Sequence, residues 1–517
     1  MPYDYKPYAY HRPPGLTAPE PRHKVAIVGA GPIGLAMALE LAQHGVPSVI
    51  VDDNDVVSVG SRAICWSKRS LEILDRIGIG ARCVEKGVTW KVGRTWHRDR
   101  EVFTFDLLPE DGHKMPAFVN LQQYYVEEYL IEAAQANALI DLRFRNRVKA
   151  VEQAADHAVA VIETPDGDYR LEADWLIACD GARSPVRAML GLDFDGELFE
   201  ERFLIADIEM AADFPSERWF WFEPTFHPGQ SALLHKQPDN IYRIDLQLGW
   251  NTDPEEERKP ERVIPRIEKV VGHRDFRLDW VSVYTFQCRR LRNFVQGRVI
   301  FVGDSAHVVS PFGARGGNGG LGDVDALGWR LAGVVRGEAP EAALAAFDRE
   351  RQFGADENIL NSARSTRFMS PEDGVERLFR DAVLHLANRV DFARPMVNSG
   401  RLSRPCVYPL VAPDATGLPE VSRPGAVAPD APLADGWLLE RLGVGFTVLA
   451  IGCAAPEVPG ARALALPVTP ELAARYLGGA GAAVYLIRPD QVVAARWTAC
   501  GVEEIAAALT ASREGRT

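Results

Sequence analysis

The sequence predicts an α/β protein: a Rossmann-like domain with an antiparallel sheet inserted into it, followed by a small α/β unit at the C-terminal end. Three observations lead there. A strand, helix and strand follow one another within about thirty residues from Lys24 onward. Aromatic, alternating segments fill residues 196–285, the period expected of a sheet with one covered face. After residue 433, short apolar strands alternate with helices.

Residues 1–23 are rich in Tyr, Pro and Arg and have no apolar h-region, so they read as an extended arm, for subunit contacts or simply disordered, and not as a signal peptide. Val25-Ala26-Ile27-Val28 is a short apolar run that ends in glycine, and a small-residue helix follows over 32–44. Gly45-Val46-Pro47 stops that helix, and 48–51 form a second apolar strand closed by Asp52-Asp53. Helical periodicity returns over 68–77 and 124–136. In 196–285, Arg218-Trp219-Phe220-Trp221-Phe222 and the segment 241–248 alternate, which predicts a mostly antiparallel sheet. Residues 298–302 are a buried-strand pattern, and helices dominate from 323 to about 397. Residues 24–195 and 286–400 therefore form one discontinuous domain around the inserted sheet. The Pro-rich stretch 401–432 reads as a linker. Residues 433–517 carry strands over 446–451, 482–487 and 492–496 and a helix over 502–511.

The 517 residues are 47% hydrophobic and 25% charged, ordinary for a globular protein of several domains. A net charge of -13 gives no basic field for phosphates, so neither nucleic acid nor an anionic membrane is expected as a partner. No apolar run approaches the ~18 residues of a spanning helix. The seven cysteines are scattered without a C-x-x-C pair, which fits a reducing cytoplasm. Histidines and carboxylates do not cluster at metal-ligand spacing, and no metal is assigned.

Three motifs carry chemistry. Gly29-x-Gly31-x-x-Gly34 sits between the first strand and its helix, where glycine admits a tight turn, a pyrophosphate and close strand packing, and the helix N-terminus offers unpaired N–H groups to an anion. Asp52 follows Gly34 by eighteen residues at the end of the second strand, placed to accept the ribose hydroxyls of an adenosine. The second motif is Cys179-Asp180-Gly181-Ala182-Arg183-Ser184-Pro185, after an apolar strand. The third is Gly303-Asp304-Ser305-Ala306-His307, followed by a glycine-rich run from Pro311 to Gly320.

In their order and spacing these fingerprints resemble the class A flavoprotein monooxygenases, the family of p-hydroxybenzoate hydroxylase, phenol hydroxylase and 3-(3-hydroxyphenyl)propionate hydroxylase, over residues 24 to about 400. The resemblance implies an FAD-binding domain and a substrate-binding sheet. It also implies an NADH- or NADPH-dependent hydroxylation of a phenolic compound by O2 through a C4a-hydroperoxyflavin. Gly29, Gly31, Gly34 and Asp52 would hold the FAD adenosine and pyrophosphate, Asp180 and Gly181 would serve FAD and nicotinamide binding, and Gly303 and Asp304 the ribityl chain. Arg62 and Gln123 match family positions near the cofactor, and Pro311, Gly316, Gly317 and Asn318 match its loop beside the isoalloxazine ring. Two departures mark a subfamily: Ala314-Arg315-Gly316-Gly317-Asn318 replaces the commoner Gly-Gln-Gly-x-Asn, and Ala326 replaces an asparagine. Arg423-Pro424-Gly425, Ala428-Pro429-Asp430 and the run from Arg488 to Trp497 resemble the thioredoxin-like extension of the phenol hydroxylase branch, here without C-x-x-C and hence without dithiol chemistry. A homodimer or larger homo-oligomer is expected.

A hydroxylase of this kind needs a base or hydrogen-bond acceptor for the phenol and apolar walls against water. The inserted sheet supplies His227, His235, Tyr242, Arg243, Asp245, Gln247 and Tyr284, with Arg243, Asp245 and Gln247 on one strand face by alternation. His235 and Tyr242 are the first candidates for substrate-side groups, the alternative being ordinary sheet residues. His307 reads as a structural or flavin-loop hydrogen-bonding residue. A flavin-dependent epoxidase or reductase acting on a nonaromatic substrate, and a non-catalytic flavin-binding sensor, are the competing functions.

Overall fold

The computed structural model describes residues 3–60, 62–249, 252–311, 313–371, 374–397, 402 and 404–516, leaving aside the side chains of 197–201 and 286. Its first half is the expected βαβ unit: β1 (His23–Val28), α1 (Pro32–Gln43) and β2 (Ser48–Val51), then β3 (Cys65–Ser67), α2 (Lys68–Arg76), β4 (Val92–His97), β5 (Arg100–Asp106), α3 (Gln123–Gln135), β6 (Ile140–Arg143) and β7 (Gly167–Ala178). The inserted sheet follows as β8 (Asp195–Glu209), β9 (Arg218–Phe222), β10 (Ser231–Lys236), β11 (Ile241–Leu248), α4 (Pro260–Val271) and β12 (Arg277–Arg290). The chain then returns through β13 (Val299–Phe301) to α5 (Gly316–Val335), α6 (Ala343–Met369) and α7 (Gly374–Ala387).

β13, β7, β1, β2 and β6 lie side by side and parallel. Helices cover such a sheet on both faces, which is why its strands are continuously apolar: Val25, Ile27, Val49, Ile50, Ile177 and Ile300 are all buried completely. α1 contacts both α3 and α5. The glycine-rich run after residue 315, read from sequence as a loop, is the first turn of α5.

The second sheet has eight strands in the order His307–Val308, β12, β8, β11, β10, β9, β4, β5. Three of them come from outside the predicted 196–285: His307–Val308 at one edge, and β4 and β5 at the other, because β9 pairs with β4 in parallel across a long sequence separation. The register sets Arg218, His235, Arg243, Asp207 and Trp280 in one row across five strands, and Phe220, Leu233, Asp245, Ile205 and Ser282 in the next. Side chains of these rows share one face. The opposite face, with Leu204, Ile208, Leu234, Tyr242 and Ile244, packs against Val263 and Ile267 of α4.

The C-terminal unit has β14 (Thr447–Ile451), β15 (Arg462–Leu466), β16 (Ala483–Ile487), β17 (Val493–Trp497) and α8 (Val502–Arg513). Its sheet runs β15, β14, β16, β17, parallel only at the first pair. The stretch expected as a linker is instead built into this unit: Asp414 bridges to Arg496, Val427 to Val492, and the Gly425 amide donates to the Val493 carbonyl at 2.8 Å. Proline and glycine removed its regular structure without removing its contacts. A buried ion pair, shared with a neighbouring arginine, and a buried hydrogen bond tie the unit to the rest. Arg488 donates to both oxygens of Glu350 at 2.9 Å, Arg330 reaches Glu350 at 2.7 Å, and Arg69 of α2 reaches Gln491 at 2.8 Å. The arm is seated as well, with the Tyr3 ring 4.2 Å from that of Tyr124 and the Tyr8 ring stacked on Phe144 at 4.9 Å.

Candidate functional site

The register places the three motifs together. Val28, Ala178 and Phe301, the last residues of β1, β7 and β13, are neighbours across the parallel sheet, so the segments that follow them emerge side by side at its C-terminal edge. Ligands of open α/β sheets bind at that edge.

The turn after β1 is a cradle that side chains would fill. Gly29 has φ +104, and a Cβ there would stand 2.5 Å from the Cys179 carbonyl; a Cβ on Gly34 would stand 1.9 Å from the Gly29 carbonyl. Gly31 caps α1 and faces open space, so an anion can approach the helix N-terminus. Asp52 closes the turn from β2, accepting the Ala30 amide at 2.6 Å and the Asn54 amide at 2.8 Å; burial raises its carboxyl, with those amides opposing.

Around this cradle stand polar atoms without protein partners. Asp180 accepts the Val186 amide through Oδ2 at 2.9 Å, whereas its buried Oδ1 has no partner among the described residues. Asp304 is exposed, yet the protein packed around it raises its carboxyl, opposed by His307 and Arg62. Tyr284 is pushed up to about 12 by burial and by Asp304, with Arg62 opposing, so these three groups share one corner. A glycine cradle that Cβ atoms would fill, an orphaned buried carboxylate oxygen and the exposed carboxylate of Asp304 are groups that FAD can use, and the residues fit it.

Gln123 and Asn318 serve the site by bracing it. Gln123 accepts the Ala63 amide at 3.1 Å and donates to Glu127 at 2.7 Å and Ser58 at 3.2 Å, holding the loop that carries Arg62. Asn318 accepts from Ser67 N at 2.9 Å and donates to the Cys65 carbonyl at 2.9 Å, locking the first turn of α5 to β3. Gly316 and Gly317 form that turn, and a Cβ on Gly316 would lie 3.8 Å from Asp304 Oδ1. Pro311 is exposed at its approach; its neighbour Phe312 lies outside the described residues.

Sequence reasoning missed Asp323. It is buried on α5, accepts the Gly303 amide at 2.9 Å, His307 Nε2 at 2.7 Å and Arg351 Nε at 2.6 Å, and so pins the third motif. His307 is thereby the structural residue expected. The available signal was an acid twenty residues after Gly303 in the same helix that the glycine run begins.

The substrate-side expectation is half corrected. His235 lies on the sheet face toward β3, its Nδ1 3.9 Å from Cys65 Sγ, and burial with Arg218 and Arg243 nearby drives it well below its ordinary value, so it is neutral. Tyr242 lies on the other face, fully buried, its hydroxyl donating to the Ala212 carbonyl at 2.8 Å. It is one residue out of phase with Arg243, and strand alternation turns it away. The face that His235 shares holds Arg218, Arg243 and Asp245, beside an apolar wall of Phe203, Phe222 and Leu233 packed against α6 and α7. Among the described residues there is no group of acids, histidines and cysteines that could hold a metal, and no helix long and apolar enough to cross a membrane.

A family model described as an FAD binding domain matches residues 22–362. The 3-(3-hydroxy-phenyl)propionate/3-hydroxycinnamic acid hydroxylase of Mycolicibacterium smegmatis is 27% identical over 376 residues, 71% of this chain and 65% of its own length, so the chain spans just under two thirds of that relative. Two solved structures share the fold. The flavin-dependent monooxygenase PieE, in complex with FAD and substrate, has a TM-score of 0.79 at 22% identity, over 96% of this chain and 100% of the other. Aklavinone-11 hydroxylase, with FAD and aklavinone, has 0.77 at 22%, over the same shares. The chain belongs to the family of this FAD binding domain.

Proposed function

We propose that this protein is a monooxygenase that uses FAD, NADH or NADPH, and O2 to hydroxylate a phenolic ring. One observation carries the reading: the glycine cradle and α5 N-terminus of the FAD domain face a sheet whose inner side combines buried, incompletely satisfied polar groups with an apolar wall. Bound FAD supplies electron transfer from the nicotinamide and the activation of dioxygen. The chain's own part is to hold and shield. Gly29, Gly31, Gly34, Asp52, Asp180 and Asp304 hold the cofactor; Phe203, Phe222 and Leu233 exclude water from the ring. The hydroxylases similar to this chain act, by name, on hydroxyphenyl-propionate and hydroxycinnamic acid, which supports a phenol with a short side chain. All seven cysteines are free, which supports the reducing, cytoplasmic setting, and a homo-oligomeric assembly belongs to the same reading.

The test is a panel of hydroxybenzoates, hydroxyphenylpropionates, resorcinols and substituted phenols given to the holoenzyme with NADH or NADPH. A member of the panel should accelerate nicotinamide oxidation and emerge with one atom of labelled dioxygen on its ring. Oxygen consumption returned wholly as hydrogen peroxide across the panel overturns the proposal.

A further inference from the structure

We propose that Asp245 and Arg218 form the pair that ionises the substrate's hydroxyl, Asp245 accepting its proton and Arg218 holding the oxyanion. The inference rests on the hydroxylase reading above and names residues for the base and the anion holder that such a reaction requires.

Both side chains stand on the sheet face toward the flavin loop, Arg218 on β9 and Asp245 one row along on β11, with His235 and Leu233 of β10 between them. Arg218 is 9% exposed, its Nε is buried without a partner, and no ion pair among the described residues reaches its guanidinium. Asp245 Oδ1 is likewise buried and unpartnered. The two feel each other's charge, yet among the described residues no salt bridge joins them, so each keeps an unsatisfied polar atom for a ligand oxygen. A buried guanidinium and a buried carboxylate oxygen left unsatisfied cost a protein stability, and a ligand that accepts from one and donates to the other removes both penalties. A phenol does that. Arg243, by contrast, is consumed in a two-fold pairing with Asp207 at 2.8 Å through both Nε and Nη2.

The groups facing Asp245 are Arg218 and Arg243, which favour the carboxylate, and Asp207, which opposes it; neutral His235 and Cys65 complete the surround. Burial dominates and pushes Asp245 up to about 6, a stronger base than an ordinary carboxylate and still ionised at neutral pH. In the step, the phenolic O–H bond breaks and an O–H bond forms on Asp245. The electron pair stays on the phenolate oxygen and raises electron density at the ortho and para carbons, while nothing is oxidised or reduced. The pocket keeps one positive and one negative charge before and after, so the transfer changes no net buried charge. Cys65 fixes the location: its Sγ touches His235 while its carbonyl accepts from Asn318 in the first turn of α5.

The experiment uses 4-nitrophenol, whose two ionisation states differ in colour, bound to the oxidised holoenzyme. Difference spectra against pH give the ionisation of the bound probe, and calorimetry in buffers of different ionisation enthalpy counts protons released. Wild type should ionise the bound probe at lower pH than free probe while releasing little proton at neutral pH. Arg218→Met should raise the bound probe's pKa by one unit or more, about a tenfold loss of phenolate, and Arg218→Lys should restore part of it. Asp245→Asn should release close to one proton per bound phenolate. FAD content confirms that each variant is folded. Variants that titrate and release protons as wild type does overturn the assignment alone; a wild-type holoenzyme that binds no phenol overturns the hydroxylase reading with it.

Discussion

Replacing Asp323 by asparagine tests whether the third motif is held from α5. The carboxylate takes the Gly303 amide, His307 and the Arg351 guanidinium at 2.6 to 2.9 Å. Burial opposes its ionisation, yet His307 and Arg351 hold it down at about 2. Against an ordinary 3.8, that preference is worth about 2–3 kcal/mol of folded-state stability. The amide keeps the shape but turns an N–H toward a donor and strands Arg351 without its counter-charge, so a loss of about 3–5 kcal/mol is expected. Flavin fluorescence during heating reports the damage where it matters, since the Gly303-Asp304 turn moves with Asp323. D323N should release FAD several degrees earlier than wild type at neutral pH. Because the folded carboxyl lies below its unfolded value, its contribution is complete above about 4 and disappears as pH falls toward 2, so the gap between the two proteins should narrow over that window. Equal release temperatures at neutral pH would refute the pinning role.

Two further outcomes follow from the geometry. Gly34→Ala puts a carbon 1.9 Å from the Gly29 carbonyl, forcing α1 off β1 at about 1–3 kcal/mol; the purified variant should carry much less FAD per polypeptide after gel filtration, and full flavin content contradicts the cradle. Tyr242→Phe loses the hydrogen bond to the Ala212 carbonyl, about 1 kcal/mol of stability, with substrate-stimulated nicotinamide oxidation unchanged; a collapse of kcat with unchanged KM would place its hydroxyl at the substrate after all.

The geometry of the glycine cradle and its acids was legible because its signals are local. A glycine that must lack a Cβ and an acid that must end a strand are fixed by a few neighbouring residues, and Asp52, Asp180 and Asp304 lie where those turns predicted. The substrate side depends on which strands become neighbours. Alternation alone put Arg243, Asp245 and Gln247 on one face, and the same rule separates Tyr242 from them by a single position. What no local pattern announces is that β9 lies beside β4, that Arg218 comes level with His235, or that an acid on α5 reaches back to Gly303. The half-exposed strand Arg462–Leu466 escaped notice for a related reason, its apolar residues being spread over alanine and leucine.

The ionic seam between Arg488, Glu350 and Arg330 bears on how this protein could evolve. The C-terminal unit cannot be traded between relatives like a tag, because an incoming module lacking the matching cation would leave a buried acid in the host's longest helix with Arg330 as its remaining cation and one oxygen unpaired. Grafts that succeed would have to carry both halves of the seam, so the tail and the helices beneath it should be inherited together.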